Sequence, residues 1–206
     1  MHCQEHTHKV LIVGDKNVGK SSYVKRYVNG NFNYKQPYKM TVGVDFAVKV
    51  LQWSDTETVR LHLWDIAGQE SFISMTRVYY KGASGCVVMF DMTEPSSFLH
   101  ARQWKQDVDT KAMLPNGDPI PCILLANKCD LGMGCVSSEK IKEFSEANGF
   151  IGWMETSVKD NRNIQEPLRF LVENMLRSGN AVNPHPPQKV VNLQQDSAPA
   201  RDTGCC

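Results

Sequence analysis

The chain contains no run approaching the roughly 18 consecutive apolar residues of a membrane-spanning helix. Its first residues, Met1-His2-Cys3-Gln4-Glu5-His6, lack the charged-then-apolar order of a secretory signal. Both absences predict a protein made and kept in the cytosol. An excess of one charge is missing too: 23 lysines and arginines stand against 22 aspartates and glutamates. That balance removes the broad field that gathers nucleic acid, so no nucleic-acid partner is expected. Position 2 is not glycine, which excludes N-myristoylation. Residues 178–206 carry only Lys189 and Arg201 as bases, against Asp196 and Asp202, so a polybasic membrane anchor is excluded as well. The seven cysteines show no disulfide framework. Cys86, Cys122 and Cys129 lie in or beside apolar runs and Cys205 and Cys206 end the chain, which predicts reduced thiols.

At 206 residues and 41% hydrophobic content, the length suits one domain with a well-filled core. Short runs rich in Val, Ile and Leu at 9–13, 86–91 and 120–126 are each followed by a polar, amphipathic stretch, the order of strand and crossover helix that builds a parallel sheet. The unbroken run Cys86-Val87-Val88-Met89-Phe90 implies helices on both faces. Alternating segments at 44–53 and 58–65, joined by Ser54-Asp55-Thr56-Glu57, predict a hairpin that supplies an antiparallel edge strand. Two stripes, Phe98-Ala101-Trp104-Val108 and Ile164-Leu168-Leu171-Val172-Met175, predict core-facing helices. After Arg177 the periodicity stops and Pro184, Pro186, Pro187 and Pro199 appear, so 178–206 is expected to be a disordered tail. Residues 1–8 are expected to be a flexible arm whose His2, Cys3, His6 and His8 have no scaffold to fix a metal's geometry. Between them, 9–177 is expected to form one α/β domain, a mostly parallel six-stranded sheet with one antiparallel edge strand and helices on both faces.

Directly after Val10-Leu11-Ile12-Val13 comes Gly14-Asp15-Lys16-Asn17-Val18-Gly19-Lys20-Ser21-Ser22. Gly-x4-Gly-Lys-Ser between a strand and a helix is a P-loop. Gly14 and Gly19 permit backbone angles and approaches that a Cβ would block, so successive N–H groups converge on phosphate oxygens. A helix starting near Lys20 adds its N-terminal amides to the same anion. Lys20 supplies a mobile charge for the β and γ phosphates, and Ser21 is a hard oxygen ligand for Mg²⁺. Lys16 and Asn17 are bulky for this loop, so their side chains are expected to point away from the phosphates.

Asn127-Lys128-Cys129-Asp130 closes the strand at 120–126 and so sits at the carboxyl edge of the sheet, where open α/β sheets bind ligands. A carboxylate at Asp130 accepts two hydrogen bonds from guanine, from N1–H and the exocyclic amine, whereas adenine would leave it unpaired. Thr156-Ser157-Val158-Lys159 follows another apolar strand and offers backbone N–H groups to the guanine carbonyl. Together the three segments specify GTP. Trp64-Asp65-Ile66-Ala67-Gly68-Gln69-Glu70 ends the hairpin strand and places Asp65 to hold Mg²⁺ through water, Gly68 to donate to the γ-phosphate and Gln69 to orient the attacking water. Thr41 offers a hydroxyl to Mg²⁺ and an N–H to the γ-phosphate. Loss of that phosphate would release loops around 34–46 and 66–81, an order-to-disorder signal.

On these motifs the chain resembles the Ras superfamily and, within it, the Rab family of vesicle-traffic GTPases. Val42-Gly43-Val44-Asp45-Phe46, Leu63-Trp64-Asp65, Tyr79-Tyr80-Lys81-Gly82-Ala83 and the terminal Cys205-Cys206 carry the likeness. Phe46, Trp64 and Tyr79 match the aromatic triad read by Rab effectors. Tyr38 joins the nucleotide-binding set by the same resemblance. Val50-Leu51-Gln52-Trp53-Ser54 and Trp64-Asp65-Ile66-Ala67-Gly68-Gln69 look most like the branch working at lysosome-related organelles, late endosomes and the trans-Golgi. The family departures are Ile66 where Thr is usual, Ser71 where Arg is usual and Val158 where Ala is usual. The resemblance implies a monomeric switch with Mg²⁺ as cofactor. It also implies an exchange factor, an activating protein, a GDP-dissociation inhibitor and effectors as partners, and two prenyl groups on Cys205 and Cys206 as membrane anchor. No arginine fits a built-in finger, so turnover on the order of 10⁻⁴ per second is expected without an activating protein. Two alternatives stay open at this point: a nucleotide-locked scaffold, suggested by Lys16, Asn17 and Ile66, and a P-loop kinase.

Overall fold

Strand β1 (Gln4–Val13) ends in four consecutive buried residues whose side chains divide between two cores. Leu11 and Val13 enter one and Val10 and Ile12 the other. The period of two that alternates side chains across a strand produces this division, and it repeats in β4 (Gly85–Asp91) and β5 (Cys122–Asn127). Cys86, Val88 and Phe90 face the first core and Val87 and Met89 the second; Cys122, Leu124 and Ala126 face the first and Ile123 and Leu125 the second. A strand that is apolar throughout therefore needs cover on both sides. The computed structural model describes residues 4–30, 41–68, 76–132, 135–180 and 191–192.

That cover comes from five helices among the described residues: α1 (Lys20–Asn29), α2 (Thr76–Tyr80), α3 (Pro95–Lys111), α4 (Ser138–Ala147) and α5 (Glu166–Asn180). The α3 stripe Phe98, Ala101, Trp104 and Val108 fills the first core with Ile141 of α4, and the α5 stripe Leu168, Leu171, Val172 and Met175 fills the second with Tyr23, Val24 and Tyr27 of α1. The α3 stripe lies where its spacing predicts it; of the second stripe, Ile164 is buried in the same core but precedes α5, which begins at Glu166.

The strand order is β2-β3-β1-β4-β5-β6-β7, with β2 (Val44–Gln52), β3 (Glu57–Ile66), β6 (Gly152–Thr156) and the two-residue β7 (Val191–Asn192). Among the described strands only β2 and β3 pair antiparallel, from Val44↔Ile66 to Gln52↔Thr58, so β2 is the predicted edge strand. The two-residue β7 adds a seventh strand alongside β6 that the sequence reading does not contain. At the other end of the chain, residues 4–8 are not an arm: from Gln4↔Glu57 onward they pair in parallel with β3. The long β3 offers this segment a partner at every residue, which outweighs its polar composition. Strands β1, β3, β4, β5 and β6 all run parallel, so Val13, Ile66, Asp91, Asn127 and Thr156 finish along one carboxyl edge.

Candidate nucleotide and metal site

The P-loop turns from β1 into α1 at that edge. Gly14 (φ 139°) and Gly19 (φ 103°) adopt angles that L side chains rarely take. A Cβ on Gly14 would stand 2.1 Å from the Met89 carbonyl oxygen, and one on Gly19 2.4 Å from Asn127 Nδ2. Packing against β4 and against Asn127 thus demands glycine here, in addition to any close approach of phosphate. Helix α1 has no side-chain cap and no acidic residue in its first turn, which leaves its amides and positive dipole end available to an anion. Ser22 sits in that same turn. Lys16 and Asn17 are exposed and Val18 is buried.

Lys20 is only 6% exposed. Its ammonium donates to the carbonyl oxygens of Gly14 at 2.8 Å and Asp15 at 2.7 Å. Burial lowers its pKa to about 8, opposed by the charges of Asp65 and Asp15. Asp65 is buried at the end of β3. Its Oδ2 accepts from the Ser21 hydroxyl and, at 3.5 Å, from Thr41. Ser21 Oγ and Thr41 Oγ1 are 2.8 Å apart. Asp65 Oδ1 is buried without a partner. Burial raises this carboxyl's pKa, against the Ser21 hydrogen bond and the Lys20 charge. An unpartnered carboxylate oxygen beside two hydroxyls is a hard-oxygen donor set, and it fits Mg²⁺. These are the three residues the sequence assigns to the metal.

Gly68 presses on the P-loop from the far side. Its carbonyl accepts from Lys16 N–H at 3.1 Å, and a Cβ on it would lie 2.3 Å from the Asp15 carbonyl carbon. Gln69 and Tyr38 lie outside the described residues, as do Ser71, Cys205 and Cys206.

On the base side, Asp130 lies in a 3-10 turn, Cys129–Leu131, after β5. Its Oδ1 accepts from Ser157 Oγ at 2.7 Å and its Oδ2 stands 3.8 Å from Lys159 Nζ. The Ser157 hydroxyl oxygen also accepts from Asp160 N–H at 2.9 Å, and Val158 is buried beside it. Asn127 is buried and bridges the site: its Nδ2 donates to Val18 O at 2.7 Å and its Oδ1 accepts from Thr156 Oγ1 at 3.1 Å. Lys128, at φ 65°, reaches Asp91 Oδ2 at 2.5 Å. Burial pushes the Asp91 carboxyl up, but hydrogen bonds from Lys128 and Thr93 prevail and hold it below the usual range.

A second surface forms on the β2–β3 hairpin. Phe46, half exposed, packs edge-on against Trp64 at 5.7 Å between ring centroids, and Tyr79 follows at 6.5 Å. The Lys9 ammonium sits 3.7 Å from the Trp64 ring centroid. Ile66, the departure beside this patch, is 2% exposed and packs in the first core, so the alkyl group finds apolar neighbours.

One contact escapes the sequence reading. Asp15 turns its carboxylate away from the loop onto α3, where Trp104 Nε1 donates to Oδ1 at 2.8 Å and His100 Nδ1 lies 2.7 Å from Oδ2. Helical spacing marks Trp104 as a core residue and says nothing of where its N–H points.

A strand–glycine loop–helix with buried Lys20, and with Ser21, Thr41, Asp65 and Asp130 gathered at one sheet edge, has the form of a P-loop nucleotide-binding protein. The Ras family model matches residues 9–177. The chain is 59% identical to human (Homo sapiens) Ras-related protein Rab-7L1 over 178 residues, 86% of this chain and 87% of that one. It is 52% identical to Rattus norvegicus Rab-7L1 over 208 residues, the whole of both chains. It is 55% identical to Mus musculus Ras-related protein Rab-32 over 174 residues, 84% of this chain and 77% of that one. The chain belongs to the Ras family and, within it, to the Rab GTPases: it is a small GTPase that hydrolyses GTP and works as a switch in membrane trafficking.

Proposed function

We propose that the residues at this edge divide the work as follows. Asp130, steadied by Ser157, reads the guanine edge, with backbone N–H groups at Val158 and Lys159 facing the base carbonyl; the Ser157 N–H, expected to join them, instead donates to the Arg162 carbonyl at 3.1 Å. Lys20 and the α1 amides hold the phosphates. Ser21, Thr41 and Asp65 would hold Mg²⁺, which supplies charge neutralisation between the phosphates. Gln69 orients the attacking water. The observation that carries this reading is the meeting of Ser21, Thr41 and Asp65 around an unpartnered carboxylate oxygen next to buried Lys20. Thr41 reaches Ser21 from the loop ahead of β2, so metal and γ-phosphate would draw that loop over the nucleotide.

In its GTP form the protein recruits effectors through Phe46, Trp64 and Tyr79, an aromatic patch whose shape follows the adjoining loops. Exchange and activating proteins and a GDP-dissociation inhibitor act on the monomer, which is anchored by prenyl groups on Cys205 and Cys206 in the absence of a polybasic segment. By resemblance its membranes are late endosomes, lysosome-related organelles and the trans-Golgi, with a cytosolic pool. The core-packed Ile66, which finds apolar neighbours, weighs against a nucleotide-locked scaffold. Single-turnover hydrolysis with and without a Rab-type activating protein tests this: strong stimulation supports the switch, and a rate near zero in both supports the scaffold.

A further inference from the structure

Asp15 is the one acidic residue in the P-loop segment 14–22. Its carbonyl oxygen accepts from Lys20 Nζ, so its side chain starts at the wall of the phosphate cradle. A free carboxylate there would stand against the negative charge of the phosphates. Instead it is held on α3, with the side chain 18% exposed. Both carboxylate oxygens are engaged, by the Trp104 indole N–H and by His100 Nδ1. A carboxylate only accepts, so Nδ1 is the protonated nitrogen of that ring. Trp104 is 6% exposed and its ring belongs to the first core. The indole N–H groups of Trp64 and Trp153 are buried without a partner. The Trp104 N–H, by contrast, is matched, and its acceptor belongs to the phosphate loop.

We propose that Trp104 and His100 are positioning residues for nucleotide retention: by pinning the Asp15 carboxylate to α3 they keep its charge out of the phosphate cradle. This rests on the nucleotide-binding reading above. Trp104 contributes a rigid donor fixed by core packing. His100 contributes a second donor from one helical turn away, on the same face of α3.

The test is release of a fluorescent GDP analogue from the full chain with Mg²⁺, alongside thermal unfolding of every variant. Trp104→Phe with His100→Ala keeps an aromatic ring in the core and removes both donors, and release is expected to accelerate about tenfold. His100→Gln, which retains a donor, is expected to restore most of the effect lost in His100→Ala. In an Asp15→Ala background, whatever its own release rate, the same pair of substitutions is expected to add nothing, because no charge remains to restrain. Equal acceleration in both backgrounds would mean simple loss of packing and would overturn the proposal; unchanged release from the pair in the parent protein would overturn it too. Should the pair unfold too readily, His100→Ala alone is compared across the two backgrounds in the same way, since that side chain is 36% exposed. Failure of the parent protein to take up any guanine nucleotide would defeat the underlying reading before a variant is made.

Discussion

Asn127 and Val18, 109 residues apart in the chain, are joined by a 2.7 Å hydrogen bond from the Asn127 amide to the Val18 carbonyl. The same amide nitrogen would meet any Cβ placed on Gly19. The segment that ends β5 and the P-loop are therefore one packed unit. Asn127→Ala leaves a buried carbonyl and the Thr156 hydroxyl without their partner, a loss of about 1–3 kcal/mol. Denaturant unfolding should register that loss, and GDP release should quicken, because the tie spans both halves of the site.

Ser21→Asn should weaken the metal set. The bulkier amide displaces the short hydroxyl that Asp65 and Thr41 share. Nucleotide affinity measured across a Mg²⁺ titration should then lose most of its metal dependence, with the GTP form affected more than the GDP form. An unchanged titration would remove Ser21 from the metal set.

Gln69→Leu tests hydrolysis apart from binding. With the water-orienting amide gone, bound GTP should persist, and nucleotide chromatography over time should show GTP where the parent chain has accumulated GDP. Normal hydrolysis would refute the assigned role.

Acid sensitivity should trace to His8. Its ring stacks on His6, with centroids 6.5 Å apart, and its Nε2 is buried without a partner. Burial, and then the His6 charge, lower its pKa below the ordinary imidazole value. Below the unfolded-state value of about 6.5 the unfolded chain takes up a proton that folded His8 resists, so the folded state loses stability as pH falls below that value. Thermal unfolding of the parent chain and of His8→Val above and below that value should show the smaller acid loss in the variant.

Much of this site is legible because its chemistry sits in short contiguous motifs. Gly14 to Ser22, Asn127 to Asp130 and Thr156 to Lys159 each end an apolar strand, and parallel pairing then brings their ends to one edge. Ser21, Thr41 and Asp65 were assignable one at a time by residue type, and the fold brings their oxygens together. Three things were hidden for physical reasons. Residues 4–8 look like a polar arm, because strand pairing through backbone groups leaves no mark in side-chain hydropathy. The Trp104 and His100 contacts to Asp15 join residues 89 and 85 apart, and helical periodicity reports only which face a ring covers. Asn127 reads as a base-side residue, yet its amide is spent on Val18 and Thr156, a role visible only once two loops are packed together.

Central to the account is a cradle of main-chain amides with Lys20 for the phosphates and Asp130 for the purine. Denaturing the purified full chain and identifying the released nucleotide by chromatography tests both at once. Near-stoichiometric guanine nucleotide, GDP or GTP, is the expected result; adenine nucleotide, or none after incubation with GTP and Mg²⁺, would contradict both assignments.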